Sequence, residues 1–231
     1  MRRTQIVPSV LAADFGNMAE EALNVAGLGA SLLHLDVMDG HFVPSITFGA
    51  SMVEALRKKL TIPLDVHLMV TEPLHLIPDF LKAMGEAEGN IITVHQEACA
   101  DLAGVLQKIH ELQPSVIRGV SIKPGTPVDV LEPFVRETDL VLLMTVEPGA
   151  GGQKLIPETL EKIGQVRSLF AEKGKDVLIE LDGGVKVSNM HELLDADLLV
   201  MGSAVFAAGN PEKTRENFRY CQEKLNELTR T

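Results

Sequence analysis

"LVLLMTVEPGAGGQKLIPETLEKIGQVRSLFAEKGKDVLIELD" (residues 140–182) contains one complete repeat of the architecture. It opens on LVLLMTV and closes on DVLIELD, two apolar stretches of strand length and strand composition. Between them, ETLEKIGQVRSLFAEKG carries apolar residues at helical spacing, with Pro157 ahead of its start and Gly174 at its end. Two strands joined through a helix run parallel, because parallel neighbours need a long crossover.

Working outward, the same alternation covers the chain. QIVPS, SLLHLD, LDVHLM, NIITVH, VIRGVSI and DLLVMG complete a set of eight candidate strands. NMAEEALNVAGLG and ASMVEALRKKL have helical period, and a polar helix, NPEKTRENFRYCQEKLNEL, closes the chain. Eight strands alternating with eight helices over 231 residues allow about 29 residues per unit, near the lower end for a (β/α)8 TIM barrel. The alternative, a doubly wound open sheet, ordinarily carries a GxGxxG-type first turn; here the first turn reads PSVLAADFGN. No Ser/Gly/Pro-rich linker divides the chain, so the expectation is one α/β domain over residues 1–231, a single barrel.

Composition narrows the partners. Net charge is −11, 45% of residues are hydrophobic, and no Lys/Arg-rich block occurs. Nucleic acid and anionic membranes are therefore poor partners. Cys99 and Cys221 are the only cysteines, too few for a disulfide framework, so a reducing, cytoplasmic location is expected. The basic start of MRRTQIVPSVLAADFG is interrupted by Pro8 and Asp14 before a signal peptide could form, and no apolar run reaches membrane-span length.

Polar residues fall where apolar ones belong. Ser9 ends the first strand, His34 and Asp36 lie on the second, His67 on the third, His95 on the fourth and Asp182 on the seventh. Barrels of this kind build their chemistry at the C-terminal ends of the strands. Side chains two apart on a strand share a face, so His34 and Asp36 project together. With His67 and Asp182 they make a His2Asp2 set that suits one divalent ion such as zinc, iron, manganese or cobalt. Each element also has a plainer reading. H-x-D on a strand is a common hydrogen-bonded pair, His67 alone fits a satisfied core histidine, and Asp182 before two glycines fits a turn. Asp65 shares a face with His67 and reads as an outer support for a ligand. Asp39, before Gly40, belongs to a turn; His41, His75, His110 and His191 read as solvated, and His95 is left open.

Glycines gather in three further places: EPGAGGQ (147–153), DGGV (182–185) and MGS (201–203), after strands six, seven and eight. The loops after strands seven and eight are the usual phosphate site of such barrels, where backbone N–H groups approach an anion. No Lys or Arg lies inside the three stretches, which implies recognition by neutral donors. Met38, Met69 and Met144 sit at strand ends and read either as core filler or as a polarisable, water-excluding wall beside a reacting centre.

Together, PSVLAADFG (8–16), HLDVMDGHFVPSITFG (34–49), DVHLMV (65–70), KPGTP (123–127), MTVEPGAGGQ (144–153), LDGGV (181–185) and GSAVF (202–206) resemble the ribulose-phosphate 3-epimerase family, in order and in spacing. The resemblance spans almost the whole chain. It implies a (β/α)8 barrel that interconverts ribulose 5-phosphate and xylulose 5-phosphate, a step of pentose phosphate metabolism, with one divalent metal. By motif, His34, Asp36, His67 and Asp182 would hold the metal, and Asp36 and Asp182 would be the acid/base pair. Ser9 and His67 would contact the sugar. Gly149, Ala150, Gly151, Gly152, Gly183, Gly184, Gly202 and Ser203 would hold the phosphate, and Met38, Met69 and Met144 would cap the site. The implied partner is a small ketose phosphate, and the implied assembly a homo-oligomer, dimer or hexamer.

This chain departs from the family at Ala150, where phenylalanine is frequent, and at Ser45, where asparagine is frequent. A sister group acting on allulose 6-phosphate differs at the positions of Gly151 and Gly184, which favours the pentulose. Decarboxylases and aldolases on the same barrel carry D-x-K-x-x-D where this chain has HLDVMD, without the lysine. A phosphate-sugar sensor that had lost the chemistry would have no use for the intact His2Asp2 set.

Overall fold

The computed structural model describes residues 4–230; residues 1–3 and 231 of the expected domain lie outside the described residues. Eight strands follow in order: β1 Gln5–Pro8, β2 Leu33–Met38, β3 Leu64–Met69, β4 Ile91–His95, β5 Ile117–Ile122, β6 Leu140–Met144, β7 Leu178–Asp182 and β8 Leu198–Met201. Every ladder is parallel, from β2 through β8 and back to β1. A parallel bridge between Ser9 and His34, one residue past the end of β1, brings the two ends of the sheet together. The result is the expected eight-stranded barrel.

Strand parity separates two cores. Leu33, Leu35 and Val37 on β2, Leu64, Val66 and Leu68 on β3, and Val141 and Leu143 on β6 join the large cluster between sheet and helices. The alternate residues of β6, Leu140, Leu142 and Met144, belong to a separate inner cluster with Val7, Ile91 and Leu198. By the same alternation, His34, Asp36, Asp65, His67, His95, Glu180 and Asp182 face inward. The barrel interior is thus apolar around β6 and polar around β2, β3 and β7.

The outer layer holds six α-helices among the described residues: α1 Met18–Ala26, α2 Ala50–Arg57, α3 Ile77–Met84, α4 Leu102–Leu112, α5 Glu161–Glu172 and α6 Pro211–Leu228. Local chemistry sets their ends. The Asp101 carboxylate accepts from Gly104 N–H at the start of α4, and the Asn210 side chain accepts from Lys213 N–H ahead of Pro211 in α6. Two of the eight expected helices are absent. The crossover after β5 is a 3-10 segment, Val128–Phe134, because Pro133 lacks the N–H that an α-helical ladder needs. The crossover after β7 keeps only a 3-10 turn, Met190–Glu192; the Asn189 side chain bonds Lys186 N–H and Gly184 C=O and spends those backbone groups in a turn. Pro157 likewise opens a 3-10 turn, and α5 begins only at Glu161.

Ion pairs tie the N-terminal ends of the strands. Asp139, just before β6, accepts from Arg118 Nε at 2.9 Å, from Arg118 Nη2 at 3.2 Å and from Lys175 Nζ at 3.1 Å. Burial alone would raise its carboxyl; hydrogen bonds from Arg118 and Lys175 outweigh that and hold it below the usual value of 3.8. A depressed folded pKa contributes stability that is complete above the unfolded value and is lost as pH falls through the folded one. Asp139→Asn is expected to lower the unfolding free energy by about 1–2 kcal/mol at pH 7, allowing for partial solvent screening. In denaturant titrations the difference from wild type should shrink as pH falls below 3.8.

Candidate metal centre

The register of β2 against β3 pairs His34 with Asp65 and Asp36 with His67. All four side chains face inward, in two layers: His34 and Asp65 below, Asp36 and His67 above. Asp182, the last residue of β7, reaches the same place from a third strand. His34 Nε2 lies 3.2 Å from Asp36 Oδ1 and 4.0 Å from Asp182 Oδ2; His67 Nδ1 lies 3.3 Å and 3.6 Å from the same two oxygens. A tetrahedral ion with bonds of about 2.0–2.2 Å separates its ligands by about 3.3–3.6 Å. The donor atoms of His34, Asp36, His67 and Asp182 all lie within 4.8 Å of one another, so the expected set fits a single ion. The structure thus brings together the four side chains that the sequence reading grouped.

Positive charge is required there. His34 and His67 are fully buried and Asp36 is 3% exposed. Burial alone would lower both imidazoles; the Asp65 and Asp36 carboxylates instead raise His34 well above its usual value, and Asp182 and Asp36 raise His67. Burial would raise the Asp36 carboxyl, but His34 and then His67 push it well below the usual range. Either protons on the imidazoles or one dication can supply this charge.

A supporting layer surrounds the set. Asp65 Oδ2 lies 2.5 Å from His34 Nδ1, so the outer support read from the sequence belongs to His34. Glu180 Oε1 is 3.7 Å from the same nitrogen, and burial, followed by the neighbouring Asp65 charge, raises the Glu180 carboxyl well above its usual value. Glu180 was missed by sequence reading, although it stands two residues before Asp182 on one strand face, the relation that linked His34 to Asp36. His95, left open in the sequence, is part of this layer: its Nε2 lies 2.9 Å from His67 Nε2 and its Nδ1 lies 3.2 Å from Glu97 Oε2. Burial pushes His95 down to about 4. The Glu97 carboxyl drops to about 2 because its hydrogen bonds, to His95 first, outweigh the burial that opposes them. His41, His75, His110 and His191 are exposed, and Asp39 holds a turn by accepting from His41 and Phe42 N–H.

Above the acids opens a cavity of about 460 Å³. Ser9, Asp36 and Asp182 lie in its floor and Met38, Met69 and Met144 in its wall; Gly149, Ala150, Gly151, Gly152, Gly183, Gly184, Gly202 and Ser203 form its rim. His67 is fully buried and is not among the side chains that line the cavity. Ser9 has a second partner besides the cavity: its hydroxyl donates to Asp36 Oδ2 at 2.6 Å. Lys186, just past DGGV, also lines the rim, so the donors there are not all neutral.

The glycines at the rim have steric causes. A Cβ on Gly184, whose φ is +66°, would sit 2.3 Å from the backbone nitrogen of Leu155. One on Gly183 would meet the Val146 side chain at 2.4 Å. The loops after β6 and β7 therefore close on each other only through glycine. Ser45 donates to the Gly149 carbonyl at 2.6 Å and fastens the first of them.

Residues 5–206 match the model of the ribulose-phosphate 3 epimerase family. The chain is 46% identical to the ribulose-phosphate 3-epimerase of Bacillus subtilis (strain 168) over 218 residues, covering 93% of this chain and 98% of that protein. It is 40% identical to that of Escherichia coli (strain K12) over 222 residues, covering 95% and 96%. In fold it is similar to the crystal structure of KGPDC from Streptococcus mutans, with a TM-score of 0.67 over 99% of this chain and 100% of that one, at 13% identity.

His34 stands between Asp36 on one side and Asp65 with Glu180 on the other, so its removal exposes buried acids to one another. His34→Ala is expected to destabilise the metal-free protein by about 3–5 kcal/mol, read by chemical denaturation. A loss below about 1 kcal/mol, the scale of a single ordinary hydrogen bond, would show that the acids are satisfied without the imidazole.

Proposed function

The chain belongs to the ribulose-phosphate 3-epimerase family, and from that premise we propose that Asp36 and Asp182 exchange protons with C3 of ribulose 5-phosphate and xylulose 5-phosphate at a site that would hold one divalent ion. The enzyme is an isomerase acting on carbohydrates. The observation that carries the residue assignment is the convergence of two carboxylates, from β2 and β7, on the floor of one cavity, each beside both buried imidazoles.

Inverting C3 of a 2-ketose requires removal of its proton from one face and delivery of another to the opposite face. One aspartate takes the proton as a carboxylate while the other, already protonated, gives one up. Each turnover leaves the two aspartates with their protonation exchanged, so a proton must pass through solvent before the same direction can repeat. His34, Asp36, His67 and Asp182 would hold the ion, which when bound acts as a Lewis acid on the substrate oxygens next to C3. Zinc, iron, manganese and cobalt all suit a His2Asp2 set.

The remaining residues serve these steps. The Ser9 hydroxyl orients Asp36 through Oδ2. When that oxygen takes a proton, the hydrogen bond reverses by rotation of a hydroxyl, without movement of either side chain. Met38, Met69 and Met144 are each less than 5% exposed and give the acids an apolar, water-poor wall. The phosphate is proposed to sit on the rim of residues 149–152, 183–184 and 202–203, where the backbone approaches closely.

Asp36→Asn and Asp182→Asn are each expected to lower kcat in both directions by about 10²–10⁴-fold. Activity within tenfold of wild type would remove that residue from the acid/base pair. In deuterated water the wild type should place deuterium at C3 of ribulose 5-phosphate and should turn over allulose 6-phosphate more slowly; binding without exchange would instead indicate a sensor. Exhaustive chelation, verified by metal analysis, should abolish turnover, with recovery on adding a divalent ion. Activity that survives verified removal would exclude the metal.

A further inference from the structure

His95 and Glu97 have no part in the proton transfers, yet their hydrogen bonds decide which nitrogen of His67 is free. Glu97 lies in the 3-10 turn Gln96–Ala98 that follows β4. Its Oε1 accepts from the backbone N–H of Lys123 at 2.7 Å and from the Thr126 hydroxyl. Its Oε2 faces His95 Nδ1 at 3.2 Å. An ionised carboxylate has no proton to offer, so His95 Nδ1 carries the hydrogen. His95 Nε2 faces His67 Nε2 at 2.9 Å, a separation that holds a single proton between two ring nitrogens. With His95 protonated at Nδ1, that proton belongs to His67 Nε2. His67 Nδ1 is then the nitrogen left to an ion, or to a second proton where no ion is bound, and it is the atom that faces Asp36 Oδ1 and Asp182 Oδ2. An imidazole ligates only through an unprotonated nitrogen.

We infer that Glu97 is a positioning residue that, through His95, fixes the tautomer in which His67 presents a bare Nδ1 to the metal site. The inference rests on the metal reading above. It also ties that ligand to the loop of residues 123–127, because the carboxylate that sets the tautomer is the one that anchors the loop. From its other side, Lys162 Nζ fixes the loop by donating to the carbonyls of Lys123, Pro124 and Thr126 at 2.9, 2.7 and 2.6 Å.

The clamped loop makes the test directional. A glutamine at position 97 must turn its oxygen to the Lys123 N–H, which leaves its NH2 facing His95 Nδ1. His95 would then be bare at Nδ1 and protonated at Nε2, would donate to His67 Nε2, and would drive the His67 hydrogen onto Nδ1, into the metal site. An alanine removes the constraint without imposing the opposite one. Titration of the metal-free full chain with cobalt(II) should therefore show a dissociation constant raised about 10–100-fold by Glu97→Gln, and raised less by Glu97→Ala. A merely structural role predicts the reverse order, since glutamine is nearly isosteric with glutamate. Cobalt binding by Glu97→Gln within threefold of wild type, or a greater loss in Glu97→Ala, would overturn the inference.

Imidazole nitrogen NMR of the metal-free wild type needs no variant. His95 should be protonated at Nδ1 and bare at Nε2, with His67 Nε2 protonated; a His95 proton on Nε2 would overturn the relay whatever the variants do. Failure of the wild type to bind cobalt would instead defeat the metal reading, which the tautomer measurement does not test.

Discussion

Carboxylates crowded inside a barrel govern this structure. Asp36, Asp65, Glu180 and Asp182 all approach His34 within 4.0 Å, and three of the four are buried. Two unit charges 4 Å apart repel by about 4 kcal/mol even at an effective dielectric of 20. Such an interior is tolerable only with positive charge at its centre and a hydrogen-bond donor for each acid that stays ionised. The two imidazoles meet both demands in a graded way: His34 joins the upper acids to the lower pair, and His67 joins the upper acids to His95. A dication at the point where the four donor atoms converge would meet the first demand directly and leave the imidazoles to act as ligands.

That interior explains where stability must come from. A polar barrel centre contributes little apolar burial, and the inner apolar cluster is confined to a few positions such as Val7, Ile91, Leu142 and Leu198. The outer layer carries the load instead, with Phe170 of α5 and Phe218 of α6 fully enclosed between helices and sheet. Separating the two jobs leaves the C-terminal face free to be strained and polar. The glycine rim follows from this division. Loops that approach as closely as Gly184 and Leu155 pack poorly as a core, but they suit the proposed grip on an anion by backbone donors.

Much of this was legible from residue type and spacing. Strand positions came from short apolar runs, and observed β3 coincides with the stretch LDVHLM. The His34–Asp36 pair was readable because strand parity is strict, and Glu180 would have been found had the same step been taken backward from Asp182. Glu97 had no such signal: it lies in a turn, and its importance depends on Lys123 and Thr126, which only the β4–β5 neighbourhood brings to it. The two missing helices were a failure of period over local chemistry. Pro133 and the Asn189 turn are visible in the sequence, but each was outweighed by the expectation that every crossover repeats the last. The depth of His67 had no signal either, since full burial beneath a cavity is a three-dimensional property that no motif encodes.

An enzyme with net charge −11 that takes up a phosphorylated sugar faces an electrostatic conflict, and the cavity resolves it by distance and direction. The acids occupy the floor, at the ends of β2 and β7, while the proposed phosphate grip lies in the rim loops after β6, β7 and β8. Among the described residues lining the cavity, Lys186 is the only lysine or arginine. Backbone N–H groups have an advantage beyond their partial charge: they are fixed in space, and they do not fold down onto Asp36 and Asp182 as a mobile ammonium would. A long cationic side chain on the floor would pair with the very carboxylates proposed to move protons. Keeping lysine at the edge and dipoles in the loops would let one cavity hold an anion at one end and work with acids at the other.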